Sequence, residues 1–481
     1  MTGPSRMTRT ARPDTGAAAG AWTPDLRPWG KPHYLALVDA IADDVRTGRL
    51  AAGRRLPPQR VLAQRLGLNF TTVARGYVEA QRRGLVESRV GQGTFVRGPA
   101  AAPSQRREAS QRRLGPVDFT MNLPPEPDDP ALLARMQAGL EAVSHDLPNL
   151  LRYQGFGGTL EDKEAAAAWL AQRGMVAPRD RLLLCPGAHA ALAAILGLVA
   201  KPGDTICAEA LTYPGLRALA AHQGLKVAGL PMDAHGIDAD AFAAVCTRLA
   251  PKALYLNPIL QNPTTRTITR ERREAIVTVA RRYDVAIVED DAYGFVPEAP
   301  PPSFYALAPE ITYLVAGLSK CLGAGLRLAY VLAPSARAAL PLTAALRAAT
   351  VMASPITAAL ATRWIEDGTA AAVLAFVRAE SRARQAIAAA ILPREGVTAD
   401  PEGFHLWLSL PEGWTRSAFA SQARSAGLGT VTSDAFTALG PPPEAVRICL
   451  GGIAGRDEIA QSLEVIAHAL GRSPALASAY I

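Results

Sequence analysis

Short β-type runs alternating with alanine-rich helical runs over residues 117–471, three helices and a hairpin in the stretch before them, and a basic excess confined to the first quarter predict a multi-domain protein. The expected architecture is a small winged helix-turn-helix (α+β) followed by a larger α/β domain with a largely parallel sheet, which ends in a small C-terminal α+β subdomain. At roughly 100–200 residues per domain, the 481 residues allow two or three compact units. A composition of 49% hydrophobic and 20% charged residues excludes wholesale disorder.

Residues 1–29, rich in Gly, Ala, Pro and Arg without apolar periodicity, read as a disordered arm. The winged-helix domain is placed at 30–97. It opens with Tyr34, Val38, Ile41 and Val45, one helical stripe, after which Gly48 and Gly53 break the chain. A second helix fits Pro57–Leu66, with proline at its start and Gly67 just past its end. A third runs from about Asn69, where Asn69 or Thr71 can cap, to Arg83, and Gly84 stops it. Leu85–Val90 and Thr94–Val96 are extended runs around the Gly91-Gln92-Gly93 turn. Residues 98–116 carry Pro, Ala, Ser and Arg with no apolar face and read as a linker.

The remaining domain is bounded at 117–475, with a large part at about 145–350 and a small part at about 351–475. Strands are expected at Leu182–Cys185, Thr205–Ala208, Ala253–Leu256, Val285–Val288, Ile311–Val315 and Leu328–Leu332. In the small part, strands are expected at Phe404–Leu410 and Val446–Leu450, with helices near 415–426 and 455–470.

Residues 1–113 hold 20 Lys+Arg against 8 Asp+Glu, a formal +12, whereas 114–481 hold 31 against 35, or −4. An appended basic segment of this kind points to double-stranded DNA as partner. The longest uncharged apolar run, Ala190–Ala200, is far short of the ~20 residues of a membrane span. No apolar core with a small-residue cleavage site follows Arg6, Arg9 and Arg12, so no secretory signal is read and a cytoplasmic location is expected. Cys185, Cys207, Cys246, Cys321 and Cys449 contain no C-x-x-C pair; they fit neither a disulfide framework nor a metal site and are expected to be reduced and buried.

Gly48-Arg49-Leu50, Gly53, Leu56-Pro57, Leu66-Gly67, Val86-Glu87-Ser88 and Gly91-x-Gly93-Thr94-Phe95-Val96 together resemble the GntR-type winged helix over residues 33–97. The resemblance implies DNA contacts at Arg60, Asn69, Thr71, Arg75, Arg89 and Gly91. The physics agrees, because a recognition helix reads base edges from its N-terminal end while basic side chains and backbone N–H groups grip phosphates. Phe70 and Ala74 stand where relatives often carry basic residues, which points to apolar contact, for instance with a thymine methyl.

In the larger domain, polar residues cluster at the inferred strand ends, where open α/β sheets bind ligands. They are Pro186-Gly187-Ala188-His189, Thr212-Tyr213-Pro214, Asn262-Pro263-Thr264, Glu289-Asp290-Asp291-Ala292-Tyr293 and Ser319-Lys320 followed by Gly325-Leu326-Arg327. In this order they resemble the pyridoxal 5'-phosphate (PLP) site of fold type I aminotransferases. The resemblance implies a Schiff base at Lys320, an Asp290 partner for the pyridine nitrogen, Asn262 and Tyr293 on the phenolic oxygen and Tyr213 stacked on the ring. It places the phosphate on the N–H groups of Gly187, Ala188 and His189 at a helix N-terminus, with Ser319 and Arg327 closing the cage. Tyr153 would reach the phosphate from the other subunit of a homodimer, and Arg447 would clamp an α-carboxylate. Thr265, Asp162-Lys163 and Ala329 depart from the family's usual residues without removing a cofactor contact.

A winged helix ahead of such a domain resembles the MocR-like subfamily of GntR-type regulators. The resemblance implies a PLP-dependent transcriptional regulator that senses PLP or an amino compound through Lys320, with weak or absent transamination. The alternative is a working aminotransferase with an appended DNA-binding domain, and a third reading is a dimeric scaffold with neither activity.

Overall fold

The computed structural model describes residues 22–26, 32–51, 53–89, 93–96 and 117–471. The chain divides into two compact units, Met1–Leu114 and Gly115–Ile481.

In the first unit α1 (His33–Arg46), α2 (Gln59–Leu66) and α3 (Phe70–Arg82) precede a wing of β1 (Val86–Arg89) and β2 (Gly93–Val96), paired antiparallel with Val86 opposite Val96. Asn69 is the cap of α3: its side chain accepts the Thr71 N–H, which settles the choice between the two capping candidates. Gly67 ends α2 in the left-handed conformation at φ 62°. Val73, Gly76, Tyr77 and Ala80 form the buried face of α3. At Gly76 an added Cβ would lie 2.8 Å from Leu37 Cδ2, so glycine is what lets α3 approach α1 so closely.

The reading of residues 1–29 as a disordered arm needs correction for Trp22–Leu26. Trp22 is buried in the core with Leu37, Ile41 and Leu62, Leu26 packs against it, and the indole N–H donates to Asp44 at 2.6 Å. A lone aromatic ring among Gly, Ala and Pro has no periodicity to announce it, yet it removes a large apolar area from water and finds a partner for its N–H. The rest of that arm and the linker at 98–116 lie outside the described residues.

In the second unit a seven-stranded sheet is built from β4 (Leu182–Cys185), β5 (Thr205–Glu209), β6 (Lys226–Leu230), β7 (Ala253–Leu256), β8 (Ala286–Asp290), β9 (Thr312–Gly317) and β10 (Ala329–Leu332). Its order is β4-β10-β9-β8-β7-β5-β6, and only β10 runs antiparallel to its neighbours. Each of the six expected strands is present. The seventh, β6, was not expected: Lys226 is exposed and Gly229 interrupts the apolar run, which an edge strand tolerates. β4, β7 and β10 are buried at every position, as a sheet covered on both faces requires.

The small subdomain has a four-stranded sheet of β11 (Val397–Ala399), β12 (His405–Ser409), β14 (Val431–Thr432) and β15 (Ala445–Cys449), in the order β11-β12-β15-β14. Leu406, Leu408, Val446 and Ile448 point into its hydrophobic core together with Ile459 and Leu463. Strand alternation therefore turns His405, Trp407, Arg447 and Cys449 to the opposite face. A pairing that was not expected joins the two ends of the unit: β3 (Val117–Asp118) runs parallel to β13 (Leu428–Gly429), and Phe119 is buried in the same core. No helix among the described residues is long and apolar enough to cross a membrane.

Candidate functional site

In the first unit, Arg55, Pro57, Arg60, Phe70 and Thr94 line a shallow groove between α2, the start of α3 and the wing. Phe70 is 43% exposed and is not a core residue; the Arg60 guanidinium lies 5.7 Å from its ring centre. Thr71 is exposed and bonded through its hydroxyl to Asn69 at 3.0 Å. Arg75 stacks on Tyr34 of α1 at 4.1 Å. Arg55 was not singled out in the sequence, yet it packs against the wing: a Cβ on Gly93 would lie 2.7 Å from its Nε. Gly91 and the side chain of Arg89 lie outside the described residues.

In the second unit the expected residues converge at the C-terminal edge of the large sheet. Asp290 ends β8 and is buried. Its Oδ2 accepts the Tyr255 hydroxyl at 2.8 Å, while Oδ1 is buried with no partner among the described residues. Burial lifts its pKa to about 6, against the Tyr255 hydrogen bond that holds the charged form. Lys320 follows β9 in a short 3-10 turn beginning at Leu318, and its amine donates to the main-chain oxygen of Asn122 and lies 6.0 Å from the Tyr293 ring centre. Burial lowers its pKa to about 8. Tyr293 accepts a 2.7 Å hydrogen bond from Asn122 Nδ2. Asn262 accepts one from Arg447 Nη1 at 2.8 Å, which leaves its Nδ2 hydrogens to donate elsewhere.

Gly187 precedes the helix α4 (Ala188–Val199) at φ 89°, a conformation that disfavours any side chain. A Cβ there would also lie 3.2 Å from Arg327 Nη2. Arg327 itself is held at φ 48°, a strained conformation that persists where the surroundings impose it. The first N–H groups of α4 and the Arg327 guanidinium thus share one small space, which suits a phosphate. His189 is exposed, and partial burial with the nearby Arg327 charge lowers its ring pKa. Ser319 is half-buried beside Lys320. Tyr213 is half-buried at the start of α5 (Pro214–His222); burial raises its hydroxyl pKa, with Asp290 and Arg327 both close enough to act on it. Tyr153 is 81% exposed and is not brought to these residues within the chain.

The residues present fit PLP. Asp290 Oδ1 is an orphaned buried acceptor where a protonated pyridine nitrogen would donate, the Gly187–Arg327 cradle suits the phosphate, and Lys320 has an amine that sheds its proton near neutral pH. Among the described residues no cluster of His, Cys, Asp and Glu could hold a metal, and all five cysteines are free and buried.

Several residues of the site escaped the sequence reading. Tyr255 alternates within an apolar strand, and Asn122 stands in a proline-rich stretch with no periodicity. His405, buried against Tyr293 with ring centres 5.5 Å apart, occupies a strand position that reads as core. Asn257 had a legible signal, since Asn257-Pro258 repeats five residues before Asn262-Pro263. Its amide donates to the Asp290 carbonyl at 2.8 Å and accepts the Asn262 N–H at 2.9 Å, so one side chain holds both ring-facing residues.

Comparison with known proteins gives the family of each unit. Residues 116–463 match the family of class I and II aminotransferases, and residues 33–96 match the bacterial regulatory proteins of the gntR family. YdeF of Bacillus subtilis strain 168, an uncharacterized HTH-type transcriptional regulator, is 28% identical over 451 residues, 94% of this chain and 97% of that protein. MocR of Rhizobium meliloti, a probable rhizopine catabolism regulatory protein, is 27% identical over 54% of this chain and 56% of its own length. The crystal structure of LysN, the α-aminoadipate aminotransferase of Thermus thermophilus, superposes with a TM-score of 0.68 at 24% identity, over 79% of this chain and 98% of that one.

The chain belongs to the class I and II aminotransferase family and carries a GntR-type DNA-binding module at its N-terminus, the architecture of the MocR-like regulators. Its cofactor is pyridoxal 5'-phosphate.

The lowered pKa of Lys320 has a kinetic consequence. Only the neutral amine attacks an aldehyde, so covalent loading with PLP is expected to slow about tenfold per pH unit below about 8 and to level off above it. Stopped-flow absorbance between about pH 6 and 9 reads this, and a flat profile would contradict the assignment.

Proposed function

We propose that this chain is a PLP-dependent transcriptional regulator, in the cytoplasm and as a homodimer, whose second unit senses an amino compound and alters DNA binding by the first. The observation that carries the reading is the conjunction of a winged helix with Asp290, Lys320 and the Gly187–Arg327 cradle in one chain. Bound PLP supplies an aldehyde that condenses with primary amines. The amine of an incoming compound competes with Lys320 for that carbon. Arg447, buried and bonded to Asn262, would take a carboxylate on the same compound. Tyr153, exposed and away from its own chain's site, is assigned to the partner's phosphate, and a dimer presents two winged helices to paired half-sites.

A compound shifts the protein between conformations only if it binds them unequally. The deciding experiment takes one preparation and measures DNA affinity with and without a panel of amino compounds, together with steady-state transamination using common keto acids. An amine-dependent change in DNA affinity with slow or no turnover is expected. Rapid turnover with DNA binding indifferent to every amine would establish the aminotransferase reading instead.

A further inference from the structure

We infer that residues 119–124, at the start of the second unit, form a strap that reports the state of the cofactor site toward the linker and the DNA-binding unit. The inference deepens the regulatory reading and rests on it. Cys449 N–H donates to the Phe119 carbonyl at 3.1 Å and Gly452 N–H to the Pro124 carbonyl at 3.0 Å, so both ends of the strap are pinned to the chain around β15. The contact is tight: a Cβ on Gly451 would lie 1.7 Å from the Leu123 oxygen. Between the pins, the carbonyl of Thr120 accepts Arg447 Nη2 and the carbonyl of Asn122 accepts the Lys320 amine. Asn122 Nδ2 donates to Tyr293 at 2.7 Å, and its Oδ1 is buried without a partner among the described residues.

Three residues that meet PLP or its ligand, Lys320, Arg447 and Tyr293, therefore each commit a hydrogen bond to this strap. Two of those bonds compete with the chemistry of the site. When the neutral Lys320 amine condenses with an aldehyde, the new C=N bond forms, both of its hydrogens leave with the aldehyde oxygen as water, and the donor to Asn122 is gone. When Arg447 turns its fork to a carboxylate, Nη2 leaves Thr120. A half-buried main-chain carbonyl that loses its donor is left poorly satisfied, so the strap repacks or finds other donors. In sequence only β3, Val117–Asp118, separates the strap from the linker at 98–116, so its repacking acts next to the linker's end.

Hydrogen exchange on the full-length protein tests this in three states: cofactor-free, PLP-loaded, and PLP-loaded with L-alanine or propylamine. Exchange of the 119–123 amides is expected to change about tenfold or more on PLP loading. Propylamine, which frees Lys320 but lacks a carboxylate, should reverse the part of the change that follows Lys320, and L-alanine should add a further change through Arg447 that propylamine does not. Equal exchange in cofactor-free and loaded protein would overturn the inference. In a second arm, the ratio of DNA affinities of PLP-loaded protein with and without L-alanine should be at least about 5 in the wild type, the lower end of ordinary couplings, and within about 2 of unity in Gly451→Ala, whose Cβ displaces the strap backbone at the Leu123 oxygen. An undiminished ratio in a Gly451→Ala variant that still binds PLP also overturns the strap. A wild-type ratio of one against every amine would instead remove the regulatory reading, while the exchange experiment still decides whether the strap senses PLP.

Discussion

Lys320→Ala is expected to remove the borohydride-stable PLP adduct completely and to leave DNA affinity unresponsive to amines. The residue is the one primary amine that the described site presents beside Asp290, Tyr293 and the Gly187–Arg327 cradle, and burial tunes it toward the neutral, nucleophilic form. The variant still has Asp290 and the cradle, so it should hold PLP non-covalently. Tryptic mass spectrometry after borohydride treatment reads the outcome: a reduced adduct on Lys163 or any other lysine, or its persistence in Lys320→Ala, would refute the site. An amine-dependent change in DNA affinity that survives in Lys320→Ala would separate sensing from this lysine.

DNA affinity is expected to fall steeply with salt. The formal +12 of residues 1–113 lies in a chain whose remainder is −4. Each phosphate neutralised by Arg or Lys releases counterions, and a protein that makes about 6–10 phosphate contacts loses about 10³–10⁵ in affinity between about 50 and 200 mM salt. Two winged helices on paired half-sites fall in that range. Fluorescence anisotropy on a duplex across that salt range should give a linear log–log plot, and Arg60→Ala should lower both affinity and slope. A salt-independent affinity, or an Arg60→Ala variant equal to wild type, would place the interface elsewhere. Phe70, exposed beside Arg60, contributes no charge, and Phe70→Ala should leave the slope unchanged while altering base preference.

The periodic parts of this protein were legible without coordinates. A helix with a buried face repeats its apolar residues every three to four positions, and a strand buried on both sides is a short unbroken apolar run. On that basis α1, α3 and the six strands of the large sheet were placed close to where they lie. The positions of Gly187, Asp290, Lys320 and Arg327 were also readable, because strand ends in such sheets carry polar residues and glycines in a recognisable order. What has no period was not readable. Trp22 joins the first unit's core from a stretch with no pattern, β6 is an edge strand with an exposed lysine, and β3 is two residues whose pairing partners Leu428 and Gly429 lie far along the chain.

The functional site shows the same division. Sequence alone named the candidates for the chemistry: an amine, a carboxylate, an amide and a phosphate cradle, each of a type the cofactor calls for. Only the tertiary structure decided how those groups are held. Tyr255 donates to Asp290, Asn257 ties Asp290 to Asn262, and Asn122 meets both Lys320 and Tyr293 from a distant part of the chain. These supporting bonds arise from close packing of segments distant in sequence, and neither propensity nor spacing encodes which buried hydroxyl or amide will be within reach of a given carboxylate. The same packing put Phe70 in solvent beside Arg60, since burial is a property of the assembled fold and not of the residue type.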